Sequence, residues 1–123
     1  MYTLEYLSSI IIDHICTIQM KRNLENSTKY NLYLLNKEQI DLNFIKFDKD
    51  WGITINKFPY NVEKDIFHYV LWFNSPDERS IEEIENVINR INPKPLWFIN
   101  STENRSIKTH FHVHIFTKNF NFI

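Results

Sequence analysis

Residues 106–116, SIKTHFHVHIF, decide how this chain is read. Apolar and polar residues alternate along them, which predicts a long β-strand. Side chains of a strand point alternately to its two faces, so Ser106, Lys108, His110, His112 and His114 are expected on one face. Ile107, Thr109, Phe111, Val113 and Ile115 fall on the other, which is the core side. The polar face gathers three of the chain's five histidines, each about 7 Å from the next. Three readings compete for it. The first is a half-exposed strand whose solvated side happens to use histidine. The second is a metal site built on His110, His112 and His114, with His68 or a carboxylate completing the shell. The third is a phosphate-handling site, in which one imidazole attacks phosphorus while its neighbours set its tautomer and bind the charged oxygens. Lys108 on the same face favours the third.

Outward from this stretch, STENR (101–105) reads as a polar loop and PLWFIN (95–100) as a strand. Ser75, Pro76 and Asp77 mark a helix start, and Ile81, Ile84, Val87, Ile88 and Ile91 follow at helical spacing until Pro93 forbids continuation. HYVLWF (68–73) is continuously apolar and β-prone, as expected of a central strand buried on both faces. GITI (52–55) follows a turn at 48–52 and should end before Pro59. Residues 30–47 fit strands better than a broken helix, and Leu4, Leu7, Ile11, Ile15 and Ile18 predict an amphipathic helix from Leu4 to about Met20. The order predicts one α+β domain over 1–123: a mostly antiparallel sheet, an N-terminal helix, and one helix between strands.

The 123 residues suffice for one core and need no disulfide staple. Hydrophobic residues make up 43% and charged ones 24%, a globular composition. Fourteen Lys plus Arg against fifteen Asp plus Glu leave a net charge of −1 with no block of like charge, which argues against general nucleic-acid binding. Cys16 is the only cysteine, so internal disulfides and cysteine-rich zinc sites are excluded and a reducing, cytoplasmic setting is expected. No apolar run has membrane-spanning length, and the N-terminus lacks the features of a secretory signal. Gly52 is the only glycine, which excludes glycine-rich phosphate loops. The absence of alanine and the abundance of Ile, Asn and Lys point to an AT-rich genome.

HFHVHIF (110–116) matches the His-apolar-His-apolar-His-apolar-apolar signature of the histidine triad nucleotide hydrolases and transferases, and the chain resembles that superfamily over about residues 53–117. The resemblance implies a nucleotide or nucleotide-linked phosphate as substrate, cleavage at the α-phosphorus, no cofactor and no metal. His112 is the implied nucleophile, with His110 and His114 orienting it and contacting phosphate. Asn100 and His68 fall where that superfamily places an asparagine and a further histidine near the phosphates. Ser106 stands in for its phosphate-contacting Ser or Thr, shifted by one residue, and Asn56 stands where it holds ribose with a carboxylate. The loop before the triad carries no glycine here, so phosphate binding is left to side chains. A homodimer is expected by the same resemblance. NKFPYNVEKDIFHYVLW, PLWFIN and HFHV also resemble a family of unassigned activity found in fungi and large DNA viruses, in which the third triad histidine is not regular. That resemblance supports the fold more than the catalysis, and the missing glycines and the shifted serine leave open a binding module that keeps the fold and has lost the chemistry.

Other residues read blandly. His14 is expected as a partly buried helical histidine and Cys16 as a small buried hydrophobe. Acidic residues at 77–85 suit the first turns of a helix. Trp72 and Trp97 lie in apolar strands and read as core, which leaves Trp51, beside a turn, as the tryptophan best placed to stack on a base.

Overall fold

The computed structural model describes residues 1–35 and 50–119. Among them the α+β class holds: a six-stranded, mostly antiparallel sheet and three α-helices. Helix α1 is Leu4–Ser9, strands β1 and β2 are Ile11–Ile12 and Ile15–Cys16, and helix α2 is Leu24–Leu35. Strands β3 (Trp51–Ile55) and β4 (Phe67–Phe73) precede helix α3 (Ile81–Ile88), which is followed by β5 (Leu96–Asn100) and β6 (His112–Thr117). The sheet order is β1-β2-β5-β6-β4-β3, and only β2 and β5 run parallel.

Several sequence expectations are corrected. The helix expected from Leu4 to about Met20 ends at Ser9. The Thr3 side chain caps its start by accepting from the Tyr6 N–H, and the β-branched run Ile10–Ile12 then favours extended backbone over helix. Asp13 and His14 both take left-handed conformations, with φ of 51° and 64°, and make the tight turn of a hairpin. His14 is therefore a turn residue. Its ring stacks on Trp97 at 4.1 Å, and its Nε2 lies 3.7 Å from a Glu85 carboxylate oxygen. The strand expected from Tyr30 is instead the end of α2. Asn23 caps that helix by accepting from the Asn26 N–H, and Glu25 pairs with Lys29 one turn on. Expectations for residues 36–47 lie outside the described residues. Helix α3 begins later than the Ser-Pro-Asp signal, because Ser80 accepts from the Glu83 N–H and so provides the cap.

The last strand departs furthest from expectation. Only residues 112–117 are strand; residues 106–110 leave the sheet. The reason is a lack of ladder partners. The β4 register ends at Trp72 opposite His112, and the chain after Phe73 turns away towards Pro76. Phe111 still bonds to Phe73 and Ser75 through its backbone, and among the described residues no strand is laddered to residues 106–110.

Both faces of the sheet are covered. On one side α3 lays Ile84, Val87 and Ile88 onto Leu71, Val113 and Ile115. On the other, Leu7, Cys16, Met20, Tyr60 and Ile66 pack on Phe98 and Phe116. The histidine face of β6 therefore looks into a second core and not into solvent. HYVLWF is interior, as expected, with β6 on one side and β3 on the other.

Candidate functional site

His112 and His114 point from β6 into the second layer, where β4 supplies His68, β5 supplies Asn100, and the segment after β3 supplies Asn56 and Tyr60. A backbone amide fixes the protons of this cluster. The Tyr60 N–H can only donate, and it donates to His68 Nδ1 at 3.1 Å. A neutral His68 must then carry its proton on Nε2, which donates to His114 Nδ1 at 2.8 Å. The proton of His114 is thereby placed on Nε2, facing Tyr60 Oη at 3.4 Å and the Asn100 amide at 3.3 Å. Asn56 Nδ2 lies 3.4 Å from His68 Nε2, a close contact between two donors; Asn56 Oδ1 is held in place by the Phe58 N–H at 2.8 Å.

Asn100 follows from the same logic. Its Nδ2 position lies 2.9 Å from Tyr60 Oη and 3.3 Å from His114 Nε2, while the Oδ1 position is buried with no partner among the described residues. The two orientations of a carboxamide are isosteric, and the donors around it select between them. With the oxygen turned inward, it accepts from both the Tyr60 O–H and the His114 Nε2–H. The amide NH2 is then the group left over.

Burial disfavours charge throughout. It holds the imidazoles of His68 and His114 well below their usual range, with nearby Arg22 adding to the effect, and pushes the Tyr60 phenol up to about 12. His112 is lowered too, mainly by burial. Its Nδ1–H donates to the His110 backbone carbonyl at 3.0 Å, so Nε2 holds the free lone pair. No described side chain is hydrogen-bonded to it.

Two clefts meet at His112 and His114. One is aromatic, walled by Tyr30, Tyr33, Phe58, Trp72 and Ile107. The other is a polar slot formed by Gln19, Asn100, Asn104 and Ser106. Arg22 and Tyr30 line both. No Asp or Glu is among the described residues lining either.

Of the expected site residues, His112, His114, His68 and Asn100 assemble as a contact network, Asn56 lines the aromatic cleft, and Ser106 lines the slot. His110 and Lys108 do not join them. With residues 106–110 off the strand, the His110 ring lies against Thr109 Oγ1 and its carbonyl accepts from His112 Nδ1–H, while Lys108 is exposed. The three triad histidines are not brought together as ligands. His114 Nδ1 is occupied by His68, and among the described residues no group of three His, Cys, Asp or Glu side chains has a ligating arrangement. Trp51 packs on the α3 side of the sheet under Arg90, and Trp72 is the tryptophan in the cleft, its ring 4.9 Å from His112. Cys16 is buried, as expected, and burial raises its thiol pKa.

Sequence reasoning missed Arg22, Tyr30, Phe58 and Tyr60. No local signal marks them, because each reaches the site only through the packing of segments distant from β6 along the chain.

A family model described as "Protein of unknown function (DUF3605)" matches residues 4–86. This chain belongs to that family. The matched segment of the DUF3605 family contributes Arg22, Tyr30, Phe58, Tyr60, His68 and Trp72 to the site; Asn100 and the triad strand lie beyond it. The solved structure described as "Crystal Structure of HTC1" is similar, with a TM-score of 0.59 and 21% identity over 94% of this chain and 84% of that one, a likeness of fold. No curated protein matches. No helix among the described residues is long and apolar enough to cross a membrane.

Proposed function

We propose that the chain is a histidine-triad-like nucleotide-binding phosphohydrolase or nucleotidyl transferase, acting at the α-phosphorus through His112. The observation that carries this is the His112 ring. Its Nδ1 is tied to the His110 carbonyl, and it sits where an aromatic cleft joins a polar slot. An aromatic base fits the first and its phosphate the second. A neutral imidazole with an unprotonated Nε2 is the form that attacks phosphorus.

The chemistry balances without a further reactant. Nε2 donates its lone pair to the α-phosphorus, and the phosphorus–leaving-group bond breaks with its electron pair on the leaving group, which takes a proton from water. The ring becomes a cation bearing phosphorus on Nε2 and a proton on Nδ1, and the His110 carbonyl stabilises that proton. The hydroxide left by that water then attacks the same phosphorus, and the phosphorus–Nε2 bond breaks with its electron pair returning to Nε2, giving a nucleoside monophosphate and neutral His112 that keeps its Nδ1 proton. His114 does not attack, because its Nδ1 is occupied and its Nε2 is protonated; it holds the wall behind the nucleophile. His68, Tyr60 and Asn100 fix that wall.

The test is turnover of adenosine and guanosine phosphoramidates and dinucleotide polyphosphates in EDTA, read by mass spectrometry. Release of a nucleoside monophosphate that disappears in His112→Ala is expected, and an undiminished rate in that variant overturns the assignment. A binding module without turnover is the second reading. The observation favouring it is that residues 106–110, which hold no glycine, leave the sheet just before His112. Nucleotide binding with no product over hours would select it.

A further inference from the structure

We infer that Arg22, with the leftover amide of Asn100, forms a side-chain anion-binding site in the polar slot that takes the phosphate group of an aromatic phosphate ester. This rests on the nucleotide reading of the site and goes beyond it by naming the groups that hold the charge.

The Arg22 guanidinium is presented in a fixed pose. Its Nε–H donates to the Phe58 carbonyl at 2.7 Å, and its carbon lies 3.8 Å from the Tyr30 ring centroid and 4.9 Å from that of Tyr60. The Nε edge is thus taken by the backbone, and two aromatic rings pack against the guanidinium. The terminal Nη groups are left over: among the described residues they make no hydrogen bond and no carboxylate pairs with them. A half-buried cation held by three contacts, with no counter-ion among the described residues, is stabilised when something anionic joins it. Asn100 is a second, independent sign. It is 93% buried, being 7% exposed, and one of its amide atoms has no protein partner. The proton order derived above makes that atom a donor. Ser106 and Gln19 add a hydroxyl and an amide to the slot, and no described carboxylate lines it. A wall of donors with one cation and no acid suits a phosphate monoester or anhydride, and rejects cations and neutral ligands.

This arrangement also makes sense of the glycine-free loop. Where backbone N–H groups cannot approach phosphate, a guanidinium reaching in from the N-terminal segment supplies the donors. Arg22 is a binding residue on this account, and its loss should be read in ligand charge.

The experiment titrates AMP, adenosine and inorganic phosphate into the full chain, its Arg22→Gln and Arg22→Lys variants, and Asn100→Asp, by calorimetry and by NMR shifts, with thermal melts to verify folding. The wild type should bind AMP at least tenfold more tightly than adenosine, with an affinity that falls as salt rises. Arg22→Gln should lose tenfold or more for AMP while adenosine stays within about twofold, and Arg22→Lys should fall between. Asn100→Asp, which puts a carboxylate in the slot, should abolish phosphate binding. Equal loss for AMP and adenosine, unchanged AMP affinity in Arg22→Gln, or no binding of any of the three ligands by the wild type would overturn the inference. The nucleotide-cleaving reading fails separately, when AMP binds as described and no substrate turns over.

Discussion

His68 and His114 are joined ring to ring, Nε2–H to Nδ1 at 2.8 Å, with both side chains buried. The direction of that bond is dictated by the Tyr60 backbone amide on the far side of His68. A single donor that cannot reverse thus sets the side chains of His68 and His114 in order, and through them Tyr60 Oη and the Asn100 carboxamide.

Breaking the chain of bonds should be expensive. His68→Leu keeps roughly the volume but leaves the Tyr60 N–H and His114 Nδ1 buried and unpaired, at about 1–3 kcal/mol each. The expected loss is therefore about 2–6 kcal/mol in urea unfolding. A loss below about 1 kcal/mol would show that the pair does not hold the second core together.

The same pair makes stability depend on pH. An unfolded imidazole titrates near 6.5, while burial keeps both folded ones neutral well below that. Above pH 6.5 both states are neutral and these residues contribute no slope. As the pH falls below 6.5, the unfolded chain takes up protons that the folded chain refuses, and stability declines by up to about 1.4 kcal/mol per pH unit for each histidine. Unfolding free energies at pH 8, 7, 6 and 5 should be flat and then fall. A curve with no drop between pH 6.5 and 5 would contradict the neutral pair.

Activity should follow His112 and not the pair. Burial lowers its pKa, so Nε2 stays unprotonated at neutral pH. The rate should be independent of pH above 6.5 and decline only below it, as protonation removes the lone pair. An inflection above 7 would assign the nucleophile's titration to some other group.

Base stacking should fall on Trp72. Trp72 lines the cleft beside His112 and donates its indole N–H to Thr54 Oγ1 at 3.2 Å, whereas Trp51 packs on the opposite layer. Trp72→Leu should weaken nucleotide binding by about 1–3 kcal/mol, and Trp51→Leu should leave binding unchanged while lowering stability. Fluorescence quenching by AMP in each variant decides between them.

The core below the site sets a reference for these costs. Ile88→Ala removes a fully buried side chain from between α3 and the sheet and should cost about 2–5 kcal/mol without changing ligand affinity. An affinity change in that variant would mean that α3 communicates with the clefts.

Much of the frame was legible in the chain itself. The class, the strands at 52–55, 68–73 and 96–100, and the helix ended before Pro93 follow from local rules: side-chain period, capping and chain-breaking residues act within a few positions, so a sequence displays them. His112 and His114 were legible in the strand's alternation, whereas His68 and Asn100 were marked by the resemblance to the histidine triad superfamily. Tertiary structure decided what depends on partners distant in the chain. Residues 106–110 carry a strand's alternation but ladder to no strand among the described residues, so the face that the pattern assigned to His110 and Lys108 is not formed there. The apolar run after Ser9 carries a helix's spacing, yet β5 offers an open edge, and the Ile99 N–H and Ser101 N–H bond to the His14 and Cys16 carbonyls of a hairpin instead. Arg22, Tyr30 and Tyr60 enter the site because the N-terminal segment and the loop before β4 are folded over the sheet's second face, and no spacing in the sequence encodes that closure.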